Sequence, residues 1–280
     1  MIIAQISDTH IALGLEDTDR RATDLERTLA DINALDPAPD VIIHTGDVVH
    51  GGRREDYAAA ASLLAAARAP VYIAPGNRDD RENLRHSLSR WVRPASGSGL
   101  LDYAVEDFPL RLIAVDSLSG TSNKGDFSPE RARHLTALID AEPRRPTLVF
   151  MHHPPFVVSV GPDPLNFITP QAMANLQGAL ASSGRVVAVF CGHVHRSTWG
   201  RIGDIRVMVA PCTATTLRKG DFPPQMHDRP VYYLHRLSSA GELVTEMRIV
   251  AAEKSPRTIS SPVLPRSTTA TCDTNRPARR

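Results

Sequence analysis

Cysteine is scarce in this sequence: Cys191, Cys212 and Cys272 are far apart and none belongs to a CxxC pair. That spacing argues against a disulfide framework and a thiolate zinc site, and makes a reducing compartment the expectation. Net charge is nearly absent too, with 32 Lys plus Arg against 31 Asp plus Glu, a formal +1. No general field exists to hold nucleic acid or an anionic membrane by charge alone, and a long polyanion has nothing to track. Long apolar runs are missing: the longest, Ala58 to Ala67, is Ala-rich, interrupted by Ser62 and too short to span a bilayer. The opening residues, MIIAQISDTH, show no charged leader and no small-residue cleavage site, so the expectation is a cytoplasmic protein. What is present is an ordinary globular balance, 42% hydrophobic and 22% charged over 280 residues, enough for one large domain or two small ones. The eleven histidines stand out, several of them beside Asp, Asn or Gly.

Short β-branched runs alternate with longer stretches of helical period, the pattern of an α/β domain. Ile2–Ile6, Val41–His44, Val71–Ala74, Arg111–Val115, Thr147–Met151 and Val186–Cys191 read as buried strands. Thr23–Leu35, Glu55–Arg68, Arg81–Trp91, Pro129–Ile139 and Pro170–Leu180 read as helices. Ser128 before Pro129 and Thr169 before Pro170 combine a capping hydroxyl with a first-turn proline. Beyond Gly192 the helical signal stops; Arg206–Val209, Val231–Leu237 and Leu243–Val250 alternate as strands, with Ser238 to Gly241 as a hairpin turn. Residues 255–280 hold four Pro, nine Ser or Thr and five Arg, and read as a disordered basic tail.

Polar residues gather where strands end. Asp8 and His10 follow the first strand, Gly46 and Asp47 the second, and Gly76, Asn77 and Arg78 the third. His152 and His153 follow a later strand, and Gly192, His193 and His195 another. In an open α/β sheet these carboxyl ends share one rim, where ligands bind. Two carboxylates, one carboxamide and four imidazoles would then meet, a mixed oxygen and nitrogen set that suits Fe, Mn, Zn or Co better than Ca or Mg. Seven donors exceed the need of one tetrahedral ion. Two ions sharing a carboxylate would use them all, and such pairs serve in-line displacement at phosphorus.

The motifs DxH (Asp8, His10), GD (Gly46, Asp47), GN (Gly76, Asn77), HHPP from His152, and GHxH from Gly192 to His195 occur in an order that resembles the calcineurin-like metallophosphoesterases. Among them the sequence looks most similar to class III cyclic nucleotide phosphodiesterases and glycerophosphodiesterases. The resemblance implies a four-layer αββα sandwich over residues 1–211. Residues 212–254 would be a β-rich extension that completes the sandwich or forms a cap or dimerisation element. It also implies that Asp8, His10, Asp47 and His195 hold one ion and that Asn77, His152 and His193 hold the other, with Asp47 bridging. The activity implied is hydrolysis of a 3',5'-cyclic nucleotide or a glycerophosphodiester by in-line attack of a metal-bridging hydroxide.

One position departs from the pattern: the family continues GN with His, and this chain has Arg78. A guanidinium keeps its proton near neutrality, so Arg78 cannot act as an acid, but its fork fits two phosphoryl oxygens. Asn77, Arg78 and Asp47 are therefore the expected catalytic residues, with Arg78 and His153 on the substrate. For His153, a replacement acid and a packing role stay open. His44 reads as a satisfied core histidine, and Asp79 and Asp80 as the start of the next helix, while a pocket role is only the minority reading for His50. A phosphomonoesterase or phosphoprotein phosphatase on the same site is the alternative activity; a binding scaffold without catalysis is the remaining one. A homodimer or higher homo-oligomer, paired through the strands after Gly203, is expected.

Overall fold

A computed structural model describes residues 1–93, 99–159, 165–238 and 241–252. Two sheets face each other. The first has the order β11-β10-β1-β2-β3 and the second β4-β5-β6-β7-β9-β8. In the first, β1 (Ile2–Ile6), β2 (Val41–His44) and β3 (Val71–Ile73) run parallel, joined by α1 (Thr18–Asn33) and α2 (Arg54–Leu64) and followed by α3 (Arg81–Ser87). In the second, β5 (Arg111–Val115), β6 (Thr147–Met151), β7 (Val186–Cys191) and β9 (Ile205–Val209) are parallel. β4 (Tyr103–Val105) and β8 (Thr198–Ile202) close its edges antiparallel. α4 (Pro129–Asp140) and α5 (Pro170–Ala181) are capped by Ser128 and Thr169, whose hydroxyls accept from Arg131 N and Ala172 N.

Alternation along the second sheet builds the layers. Leu112, Ala114, Leu148, Phe150, Ala188 and Phe190 join the first sheet, α1 and α2 in one apolar cluster. Their neighbours Ile113, Val115, Val149, Met151, Val189 and Cys191 pack on Leu135 and Ile139 of α4 and Leu176 and Leu180 of α5. Successive side chains of a strand point to opposite faces, so helices, sheet, sheet and helices form an αββα sandwich. Gln5 on β1 pins the sheets together, donating to Cys191 O at 2.9 Å and Thr45 Oγ1 at 3.2 Å.

Residues 212–254 contribute β10 (Val231–Leu237) and β11 (Leu243–Ile249), and β10 lies antiparallel against β1. Val231, Tyr232, Tyr233 and Leu234 are consequently buried within the chain and offer no edge. β11 and β3 are the two outer strands of that sheet. α1 starts at Thr18, five residues before the sequence reading, and α3 stops at Ser87, four residues short of it. The tail read over residues 255–280 lies outside the described residues.

Candidate metal centre

Each parallel strand delivers its polar segment to the same rim. The loops after β1 and β2 are zipped together: Asp8 N donates to Gly46 O and His10 N to Asp47 O, both at 3.0 Å, and Ile11 N to Val48 O at 2.9 Å. In the second sheet, Gly192 N donates to His152 O at 3.0 Å, which ties the loop after β7 to the loop after β6. The glycines make this approach feasible. A Cβ on Gly76 would stand 2.2 Å from Asp47 N, and one on Gly192 would stand 1.9 Å from Ser7 Oγ. Five donors sit in the left-handed region: Asp8 (φ 55°), His10 (46°), Asp47 (54°), His193 (75°) and His195 (57°). Non-glycine residues rarely adopt it, and clusters of such strain mark functional sites.

The donors form two groups. In one, His195 Nε2 lies 3.2 Å from Asp8 Oδ1 and 3.0 Å from His10 Nε2, and His10 Nε2 lies 3.5 Å from Asp47 Oδ2. In the other, Asn77 Oδ1 lies 3.0 Å from His152 Nε2 and 2.9 Å from His193 Nδ1. Asp47 Oδ1 is 3.5 Å from His152 Nε2, so the two oxygens of Asp47 face different groups.

This set fits metal ions on three observations. Asp8 Oδ1 is buried without a hydrogen-bond partner. The remote nitrogens of the imidazoles are held elsewhere: His152 Nδ1 by Thr45 O at 2.8 Å, His195 Nδ1 by Leu217 O at 2.9 Å, and His10 Nδ1 facing His50 Nδ1 at 3.4 Å. Facing a carbonyl, an imidazole nitrogen must carry a proton, so the inward Nε2 of His152 and His195 is the atom that would give up its proton to a bound cation. The electrostatics agree. Burial disfavours both carboxylates, yet the surrounding imidazoles, His195 foremost for Asp8 and His152 for Asp47, hold them well below the usual carboxylate range. Burial also opposes the His152 and His195 cations, but Asp47 lifts the first to about 9 and Asp8 the second to about 11. His10 and His193 are pushed down, by burial first, to about 4 and about 3. Two buried anions are thus matched by positive charge in the space where the donors converge.

The other residues singled out in the sequence fall around this centre. Arg78 is exposed at its mouth, and its backbone N–H donates to Asp47 Oδ1 at 2.7 Å. His153 is buried with its ring between Ser117 Oγ (2.8 Å from Nδ1) and Asn123 O (3.1 Å from Nε2). It also lies within ligand reach of His152 and His193. His44 is a core histidine, bonded to Thr9 Oγ1 and Gly46 N. Asp80 caps α3 through Asn83 N at 2.8 Å. Asp79 does not start the helix, contrary to its sequence reading: it clamps two loops, accepting from Gly76 N, Val48 N, Val49 N and Tyr57 Oη. Sequence reading also missed Cys212, whose thiol donates to Asp8 O at 3.0 Å, and the Leu217 carbonyl. Neither has a local signal, because the 211–217 segment reaches the site only through tertiary folding.

An αββα sandwich with carboxylate, amide and imidazole donors on the rim between its sheets defines a class of metal-dependent phosphoesterase scaffold. The calcineurin-like phosphoesterase family is matched over residues 1–197, and the chain belongs to it. It is 31% identical over 242 residues to the glycerophosphodiester phosphodiesterase GpdQ of Enterobacter lignolyticus, covering 83% of each chain. It is 30% identical over 255 residues to the 3',5'-cyclic adenosine monophosphate phosphodiesterase CpdA of Pseudomonas aeruginosa, covering 88% of each. In fold it is similar to the purple acid phosphatase PPD1 of yellow lupin, with a TM-score of 0.62 at 13% identity over 89% of this chain and 51% of that one. No described helix is long and apolar enough to cross a membrane.

Proposed function

We propose that this chain hydrolyses small phosphodiesters, of the glycerophosphodiester or 3',5'-cyclic nucleotide class, at a pair of transition-metal ions. Asp8, His10, Asp47 and His195 would hold one ion and Asn77, His152 and His193 the other, with Asp47 shared; Fe, Mn, Zn and Co all suit these donors. The carrying observation is Asp47, whose two oxygens face the two donor groups. Such ions activate water near neutral pH and polarise phosphoryl oxygens. The Arg78 backbone fixes the Asp47 carboxylate through its 2.7 Å hydrogen bond. The Arg78 side chain is exposed, and its guanidinium is the group assigned to stabilise charge developing on the non-bridging phosphoryl oxygens. His153, with both nitrogens turned to Ser117 and Asn123, steadies the wall of the substrate site rather than donating a proton. A homo-oligomer through the outer strand β11 and a cytoplasmic location complete the reading.

The test is paired turnover of bis(p-nitrophenyl) phosphate and p-nitrophenyl phosphate by metal-reconstituted protein, with metal content measured by elemental analysis. The diester is expected to be preferred with close to two ions per chain. A strong preference for the monoester would overturn the diesterase reading in favour of a phosphomonoesterase.

A further inference from the structure

Asn77 lines not only the metal centre but also a neighbouring cleft of about 520 Å³. One wall is the loop after β5, from Leu118 to Asn123, and the other is the start of α3 with Asp80 and Arg81. The first wall is firmly held. Arg81 grips Asp116 through two hydrogen bonds, at 2.6 and 2.9 Å, and also donates to Leu118 O at 2.5 Å. His153 holds both ends of the loop, at Ser117 Oγ and Asn123 O. A cleft whose walls are fixed before a ligand arrives loses little ordering entropy on binding.

Its lining is polar. Apart from Leu118 and Gly120, the loop offers Ser119, Thr121, Ser122 and Asn123, the facing wall adds the acceptors Asp79 and Asp80, and no aromatic ring is among the described lining residues. Hydroxyls and carboxamides both donate and accept, so they exchange hydrogen bonds with the hydroxyls of an alcohol. A nucleobase draws its affinity from stacking on flat aromatic or guanidinium faces. The one guanidinium among the described lining residues, that of Arg81, is committed to Asp116.

We propose that this cleft receives the alcohol half of the substrate and selects a small, multiply hydroxylated one, so that the chain favours glycerophosphodiesters over cyclic nucleotides. The inference rests on the diesterase reading and assigns Ser119, Thr121 and Asn123 as its specificity residues. Metal-loaded protein should turn over glycerophosphoethanolamine with a kcat/KM at least about tenfold above that for 3',5'-cyclic AMP. In the Ser119→Ala/Thr121→Val double variant, the kcat/KM ratio of glycerophosphoethanolamine to bis(p-nitrophenyl) phosphate should fall about tenfold, through KM, for the loss of two hydrogen-bonding groups.

A binding measurement separates this inference from the reading beneath it. Gly120 faces open space and has no left-handed φ, so Gly120→Trp adds a ring at the cleft without backbone strain. By calorimetry, sn-glycerol 3-phosphate should bind this variant about tenfold more weakly while inorganic phosphate binds within about twofold of the parent, because only the glycerol needs the cleft. Unchanged substrate ratios, equal losses for both anions, or a preference for 3',5'-cyclic AMP would each overturn the assignment. Failure to cleave bis(p-nitrophenyl) phosphate would instead sink the diesterase reading, leaving the two anions to decide the cleft.

Discussion

The two sheets bring different chemistry to their shared rim. The first supplies both carboxylates, the carboxamide and one imidazole, from Asp8, His10, Asp47 and Asn77. The second supplies only imidazoles, from His152, His193 and His195. Neither half offers a complete donor set alone: the carboxylates without the facing histidines repel one another, and the histidines alone carry no negative charge to balance two cations. The distances show the halves interleaved, since His195 pairs with Asp8 and His152 with Asp47 across the sheet boundary. Chemical function is therefore tied to how the two sheets pack, and Asp47 is the residue on which both halves depend.

Asp47→Asn removes the shared charge and gives the largest expected effect, a fall in activity of about a thousandfold with metal content dropping below two ions per chain. Retention of two ions and normal turnover would show the halves to be independent. Asn77→Ala strips one neutral oxygen from the side shared with the second sheet. It should lower kcat about a hundredfold and leave close to one tightly held ion, as judged by elemental analysis after dialysis. Equal loss of both ions would mean that the donor groups bind as a single unit.

Arg78→Ala keeps the backbone hydrogen bond to Asp47 and deletes only the guanidinium. Metal content should hold while kcat falls about thirtyfold, within the range for one lost charge-stabilising group. If metal content fell in step and the metal-saturated variant turned over normally, Arg78 would be a structural residue.

The smallest effect concerns a carboxylate away from the rim. Asp102, at the edge of the second sheet, is buried with Oδ1 accepting from Asp116 N, while Oδ2 has no hydrogen bond and only His134 Nε2 at 3.8 Å. Burial raises it to about 6, whereas Asp8 and Asp47 are held low by imidazoles. The neutral acid is the form the fold favours, so its contribution is complete below an unfolded value of about 4 and is lost as pH rises through the folded one. Asp102→Asn should match the parent near pH 4 and be more stable at pH 8 by on the order of 2 kcal/mol, measured by urea unfolding. A difference independent of pH would place the effect in packing instead.

The rim was legible because its residues lie within a few positions of strand ends, and short-range order sufficed to find Asp8, Asp47, Asn77 and His193. The parallel strands were legible for a related reason: buried on both faces, they read as continuous apolar runs. β4 and β8 were not, because Tyr103–Val105 is three residues long and Thr198–Ile202 is a half-exposed edge strand interrupted by Gly200. The place of β10 beside β1 was hidden too, since two antiparallel strands more than two hundred residues apart carry no mark of their partner. Asp79 misled because an acid before a helix usually serves its N-terminus, whereas here loop amides and Tyr57 compete for it.

The left-handed backbone at Asp8, His10, Asp47, His193 and His195 means that this rim works against the fold that carries it. Each such conformation costs about 1 kcal/mol for a residue with a Cβ, and glycine would relieve it. Screening variants for thermal stability alone would drift toward glycine at these five positions and erase the donors one by one. Selection for activity has to oppose that drift continually, which makes this short list of residues the place where stability and catalysis are in direct conflict.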